Sequence, residues 1–211
     1  MIWDQADKEI ERMKSSINAE FHNLNNSIKI DELNIITVRK SCTPMYRRMD
    51  KRNRKAYLRI IRDAWMAALA EIDDELDEEC DEKSILQTVV SAYNATTSYR
   101  YDTEVDRKLS RCIEGMLSCR NRQAIRDVNA KAAKLWFDQS RQYADESVKV
   151  ARLEAFRASG VRKVRWNTQH DERVCGECYD RDKMVYDIDK VPDAHYRCRC
   201  YLTPVVETRK G

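Results

Sequence analysis

Two short clusters of soft metal ligands lie close together late in the sequence. The first is Cys175-Gly-Glu-Cys178 and the second is His195-Tyr-Arg-Cys198-Arg-Cys200. A C-x-x-C pair followed, 16 residues on, by H-x-x-C matches the Cys/His spacing of tetrahedral structural zinc sites. The pattern predicts a zinc ion held by Cys175, Cys178, His195 and Cys198, with Cys200 competing for the fourth position. In an extended strand, positions 198 and 200 face the same side, so either thiol can reach an ion. Peptide N–H groups around Gly176 can support the thiolates of the first pair.

A shell filled by thiolates and an imidazole leaves no open position for water, which catalytic zinc requires. The expected role is therefore a clamp, and no catalytic residue is assigned. About 50 residues cannot build an adequate core on their own, and a metal supplies what the core lacks. Trp166 is expected to cover the site with apolar surface, and Asp171 to accept backbone N–H bonds at the turn into the first pair. His170 falls outside the ligand spacing and reads as surface. Two other chemistries compete. A pair of disulfides would suit an oxidising compartment. A nuclease would need a histidine base beside an open hard-metal site, and the chain has 3 histidines with His195 already used.

The rest of the chain must position this segment. It has 211 residues, 36% of them charged, with only 4 glycines and 3 prolines, and a mean hydropathy of −0.75. Few turn formers and many charges mean long helices with solvated faces. An all-β sandwich or barrel needs a turn signal every 8–12 residues or so and is excluded. No Gly-rich loop exists to cradle a phosphate, which excludes P-loop and Rossmann enzymes. No signal peptide and no apolar run of about 20 residues is visible, so a cytoplasmic origin without membrane insertion is expected. In that compartment eight cysteines do not read as a disulfide framework.

Apolar residues recur at helical spacing through most of the sequence. Trp3, Ala6, Ile10, Met13, Ile17, Phe21, Leu24 and Ile28 form one stripe, with His22 off it on the surface. The stretch 31–42 fits either a short extended segment or a turn of helix. Thr43-Pro44 reads as an N-cap with proline at the first helical position, opening a helix from about Pro44 to Cys80. Its core candidates are Met45, Met49, Leu58, Ile61, Trp65, Leu69, Ile72 and Leu76. A shorter helix covers Ile85 to Tyr93. Another carries Val105, Leu109, Cys112, Ile113, Met116 and Leu117, with Cys112 as a small buried hydrophobe. Cys42, Cys80 and Cys119 read the same way. The last long helix spans about Arg122 to Ser159, with Ile125, Val128, Ala132, Leu135, Trp136, Tyr143, Val150, Leu153 and Phe156 inward and Gly160 as its C′ glycine. Composition changes near residue 160. The expected architecture is mainly α: an elongated helical domain over 1–160, then a small α+β zinc-stabilised knob over 161–211.

The second long helix is electrically polarised. Arg47, Arg48, Lys51, Arg52, Arg54 and Lys55 crowd its first half, and acidic residues from Glu71 to Glu82 follow, the reverse of what the helix dipole favours. Pairing with neighbouring helices is one reading. Contact with DNA or an acidic protein surface is the other.

Trp166, Thr168, Asp171, Arg173, Cys175, Cys178, the downstream Pro192, His195 and the Cys198-Arg-Cys200 ending resemble the phage head-morphogenesis family, the Mu F-like minor capsid proteins. Their pattern is close to W-x-T-x-x-D-x-R-x-C-x-x-C followed by P-P-x-H-P-x-C-R-C. The helix ending Ser147 to Gly160 is similar to the family's lead-in, and the resemblance is specific over about residues 145–205. Tyr196 and Asp193 replace family prolines, and Lys183 stands where many members have glycine. Every ligand position is kept. The resemblance implies a minor head protein of a tailed bacteriophage that joins the procapsid, associates with the portal protein or the major capsid protein in several copies, resides in the virion and touches packaged DNA. Some relatives carry fused toxin or ADP-ribosylating domains; with the sequence ending at Gly211, none is expected here. A zinc-stabilised nucleic-acid-binding module, a packaging accessory or regulator, is the alternative, drawing on Arg162, Lys163, Arg165, Arg173, Arg197 and Arg199 around the knob.

Overall fold

A computed structural model gives the fold, describing residues 3–72, 80–96, 101–169, 174–195 and 198–205. It is mainly helical, with a small antiparallel sheet near the C-terminus. The helices are α1 (Asp4–Ser27), α2 (Ile35–Ile72), α3 (Glu82–Thr96), α4 (Tyr101–Leu117), α5 (Arg122–Ala158) and α6 (Gly176–Arg181). The strands are β1 (Lys163–Asn167), β2 (Val185–Asp187) and β3 (Tyr201–Pro204), in the order β2-β1-β3. No described helix is long and apolar enough to cross a membrane.

The apolar stripe that runs from Trp3 along α1 to Ile28 is buried throughout: none of its eight residues is more than 4% exposed. The stretch 31–42 resolves into a 3-10 turn (Ile30–Glu32) and the start of α2. Helix α2 therefore begins nine residues before Pro44. Its cap is Asn34, whose Oδ1 accepts from the N–H groups of Ile36 and Thr37, each at 3.0 Å, satisfying two of the donors a helix start leaves free. Pro44 lies inside the helix. Both it and Lys40, whose carbonyl it deprives of a donor, are exposed, so the lost bond falls on the solvent side. The expected end of this helix beyond Ile72, with Leu76, lies outside the described residues, and Cys80 is non-helical. Leu117 and Leu135, both expected inward, are 37% and 46% exposed. Their neighbours Met116 and Trp136 take the core face instead.

Helix α5 ends in the αL geometry that Gly160 suggested. Gly160 has φ +70°, its N–H reaches the Arg157 carbonyl, and the Val161 N–H reaches that of Phe156, both at 3.0 Å. This is a Schellman closure.

The chain forms two compact units that do not divide at residue 160. One comprises Asp7–Tyr57 and Val90–Tyr143. Its core brings together Ile17, Phe21, Met45, Tyr46, Cys112, Met116 and Trp136. Tyr46 is edge-on to both Phe21 and Trp136, with ring centroids 6.1 and 5.1 Å apart. Cys112 is buried as expected, beside Cys42. Gly115 of α4 lies against Val128 of α5, where a Cβ would come within 3.0 Å of a valine methyl. Two buried polar pairs belong to this unit: Asn53 Nδ2 donates to Ser140 Oγ at 2.6 Å, and Asn129 Nδ2 to Asn25 Oδ1 at 2.7 Å.

The other unit comprises Met1–Ala6, Leu58–Val89 and Ala144–Gly211. The change of composition at residue 160 marks the end of α5, not the edge of a packed body. Arg152 of α5 donates to the Leu202 carbonyl of β3 at 3.0 Å, and Arg157 to that of Ile188 at 3.4 Å. These bonds tie the last turns of the helix to the C-terminal segment. In the sheet, Arg165 of β1 faces Val185 on one side and Thr203 on the other. Alternation along β1 buries Val164 and Trp166.

Candidate metal centre

The site is built from two limbs. The first leaves β1 at Thr168, whose N–H and hydroxyl both donate to Asp182 Oδ1 at 2.9 and 3.2 Å. This fixes the exit of the strand to the far end of α6. Residues 170–173 lie outside the described residues, so the expectations for His170, Asp171 and Arg173 have no structural outcome. Cys175 then caps α6. Its backbone is extended (φ −80°, ψ 161°), and its Sγ accepts the Cys178 N–H at 3.4 Å. The helix thus presents both sulfurs of the C-x-x-C pair with peptide support for one of them. Gly176 has open space around its α-carbon and no left-handed backbone, so the knuckle does not depend on it.

The second limb carries His195, Cys198 and Cys200. The Cys198 N–H reaches the His195 carbonyl at 3.1 Å, turning the H-x-x-C segment back on itself. The Cys200 N–H then supports Cys198 Sγ at 3.4 Å, as Cys178 does for Cys175. Cys198 and Cys200 are both buried and Arg199 between them is not, so the two thiols share a side.

The limbs meet at Cys178. Its Sγ lies 2.9 Å from His195 Nε2 and 3.6 Å from Cys198 Sγ. Two triads share it. In each of Cys175–Cys178–His195 and Cys178–Cys198–Cys200, the ligand atoms all lie within 4.8 Å of one another. All five residues singled out in the sequence are thus brought to one place. The sulfurs are free; 3.6 Å is far from the roughly 2.05 Å of a disulfide.

The donor set fits a metal ion. Four sulfurs and an imidazole nitrogen form a soft cluster, and Cys178, Cys198 and Cys200 are at most 8% exposed. The electrostatics of the bare sulfurs are those of a group able to hold few charges without a cation. Cys198 is drawn down to about 5, chiefly by the hydrogen bond from the Cys200 thiol and further by the charge of Lys149. Cys200, as that donor, is pushed up. Burial pushes Cys178 up to about 12.

Trp166 is 3% exposed and packs in one apolar cluster with Cys178, Cys198 and Cys200. Its ring is edge-on to Tyr186 at 6.5 Å, with the Arg181 guanidinium 5.4 Å from its centroid. Sequence reasoning gave three residues here no role in the site. Asp182 pins the first limb. Lys149 acts on Cys198 from α5. Lys183 takes a left-handed backbone (φ 64°), with its N–H on the Trp166 carbonyl at 2.8 Å and its Nζ on Asn167 Oδ1 at 3.0 Å. The one sequence signal for Lys183 lay in the resemblance drawn above, in whose pattern this position is often glycine.

The basic residues of α2 divide into two groups. Arg48 and Arg52 both close on Glu20 of α1, each at 2.7 Å, and Arg54 pairs with Asp50 at 3.1 Å. Arg47, Lys51 and Lys55 stand exposed on successive turns and make no ion pair among the described residues. Around the knob, Arg197 lies outside the described residues.

No family model, curated protein or solved structure matches the chain.

Proposed function

We propose that this chain is a structural docking protein of a tailed-phage head, a minor capsid and head-morphogenesis protein whose C-terminal segment is clamped by zinc. One observation carries the clamp: five soft donors converge on one place, with the sulfurs of Cys178, Cys198 and Cys200 buried. Five candidates for four positions favour a closed shell, the mark of a structural zinc site. Cys175 and Cys178 would hold the ion from α6, and His195 and Cys198 from the second limb, with Cys200 competing with Cys198. Bound there, the ion supplies cohesion between two limbs that share little apolar core. Trp166 excludes water from the sulfurs, and the peptide N–H groups of Cys178 and Cys200 orient them.

The phage assignment rests on the resemblance over residues 145–205. Long helices with exposed charged faces suit docking on a portal or inner capsid surface, in several copies and within the virion. Co-expression with the cognate portal protein should give a complex that survives size-exclusion chromatography. Separate elution at every salt concentration sinks the portal reading.

A second reading, a zinc-stabilised nucleic-acid-binding module, is favoured by Arg47, Lys51 and Lys55, exposed on one stripe without acidic partners. Three phosphate contacts would give a log–log salt slope of about −3 on duplex DNA. Replacing all three by alanine should abolish that slope. Absence of DNA retention at low salt removes this reading.

A further inference from the structure

The metal centre draws on the opposite end of the chain. Trp3, the residue before α1, is 3% exposed. In the sequence it reads only as the first residue of an apolar stripe. In the fold, Met1–Ala6 belongs to the same compact unit as Ala144–Gly211. The Trp3 ring centroid lies 5.0 Å from the Arg199 guanidinium, a cation–π contact. Arg199 stands between Cys198 and Cys200, the two residues that compete for one ligand position. A restraint on its side chain therefore bears on both sulfurs.

Trp3 also meets the site through a cleft of about 130 Å³, with Trp166, Lys149, Arg152 and Leu202 in its walls and Cys200 opening onto it. Cys200 is 8% exposed, against 1% for Cys178 and 2% for Cys198. It is thus the point at which the buried part of the cluster comes nearest to solvent. Two indoles stand in the walls there. Trp166 is supplied by β1, close by in sequence; Trp3 is supplied by the N-terminus. Apolar surface around metal ligands sets how readily water reaches them, and protons compete with the metal for thiolates. Cutting Trp3 back to alanine would remove an indole from the wall of the cleft and release Arg199, while leaving every donor in place. Cys175 and His195 are already half-buried, so the effect should fall on the second limb.

We infer that Trp3 is a positioning residue of the metal centre. It seals the Cys200 side against water and competing ligands, and through Arg199 it holds the Cys198–Cys200 segment in place. The inference rests on the metal reading and is independent of the phage reading.

The test uses the full-length, zinc-loaded protein and maps N-ethylmaleimide labelling of each cysteine by mass spectrometry. Trp3→Ala should raise the labelling rate of Cys200 at least tenfold and that of Cys175 less than twofold. Zinc transfer to excess chelator should be at least fivefold faster. Trp3→Phe keeps a ring in the wall and should stay within threefold of wild type on both measures. Arg199→Gln, which removes the cation–π contact alone, should raise Cys200 labelling about threefold. A general loss of stability would raise labelling of the cluster cysteines together, so a uniform rise overturns the inference, as does a Cys200 that stays protected in Trp3→Ala. Should that variant misfold, the wild-type protein loaded with cobalt(II) decides. Its Trp3 indole N–H signal should be broadened relative to the zinc form, and an unbroadened signal overturns the inference. Wild-type protein that takes up no metal overturns the metal reading and this inference with it. A loaded protein whose Cys200 is indifferent to Trp3 overturns the inference alone.

Discussion

Cys178 Sγ lies 2.9 Å from His195 Nε2, two atoms from limbs separated by 16 residues of chain. Cys178 also belongs to both ligand triads, so it is the donor the centre can least spare. Cys178→Ser should reduce metal content from one ion per chain to less than about a tenth, because a buried thiolate ligand is replaced by a weakly basic hydroxyl. Chelation of the wild-type protein should have the same consequence: the C-terminal segment becomes protease-sensitive from about residue 163. Elemental analysis and limited proteolysis check both. A metal-free preparation with an intact, protected knob would refute the clamp. Comparing Cys198→Ser with Cys200→Ser then identifies the fourth ligand, as the variant that loses the ion.

Lys183 holds φ at 64°, a region that disfavours side chains with a Cβ. Its Nζ bond to Asn167 Oδ1 offsets part of that cost. Substituting alanine removes the bond and keeps the strain, whereas glycine removes both. Lys183→Gly should therefore be more stable than Lys183→Ala by about 1 kcal/mol. Denaturant unfolding of the two variants measures the difference. Equal stability would mean that the turn relaxes when the lysine side chain is lost.

The legible parts of this protein were those fixed by local period. All eight residues of the stripe from Trp3 to Ile28 are buried, and the Cys/His spacing placed five donors where the fold brings them. Leu117 and Leu135 were misread because a three-or-four step cannot distinguish adjacent apolar residues at the edge of a face. Met116 and Trp136, next to them, take the inward positions. The change at residue 160 is a signal of another kind. Composition reports where helix gives way to strand, whereas packing depends on residues far apart in sequence. Arg152 shows this: nothing local marks it as buried, yet Glu71 and Leu202 hold it inside.

Glu20 is almost buried and serves both Arg48 and Arg52. Hydrogen bonding to Arg48, with the charges of both arginines, holds its carboxyl below the ordinary value of 4.5. A carboxyl depressed by folding stabilises the protein above the unfolded value and loses that contribution as pH falls through the folded one. The stabilisation should be complete at neutral pH and begin to fade near pH 4.5. Because both arginines are about half exposed, solvent screens the pair and Glu20→Gln should cost only about 1 kcal/mol at pH 7. The gap between variant and wild type should narrow on acidification below pH 4.5, as followed by chemical denaturation across pH. A constant gap would assign the loss to packing instead of charge.

Asn34 and Pro44 are two possible starts for the same helix. Pro44 has the stronger sequence signature, since its fixed φ and missing N–H suit a first turn. Asn34 prevails because its side chain satisfies two free N–H groups, while Val38 and Cys42, in the turns it opens, are both fully buried in the core. Burial of those two side chains repays ordering the extra turns, and the bond Pro44 denies to Lys40 is left to water. Asn34→Ala should therefore cost about 1 kcal/mol and fray the segment 35–40 without unfolding the rest of α2. Hydrogen exchange is the direct measurement: amides of 35–40 should lose protection while those of 45–57 keep theirs. If protection is lost as far as Pro44 and Met45, the helix has retreated to its second start, and the proline is then the residue that stops the unravelling.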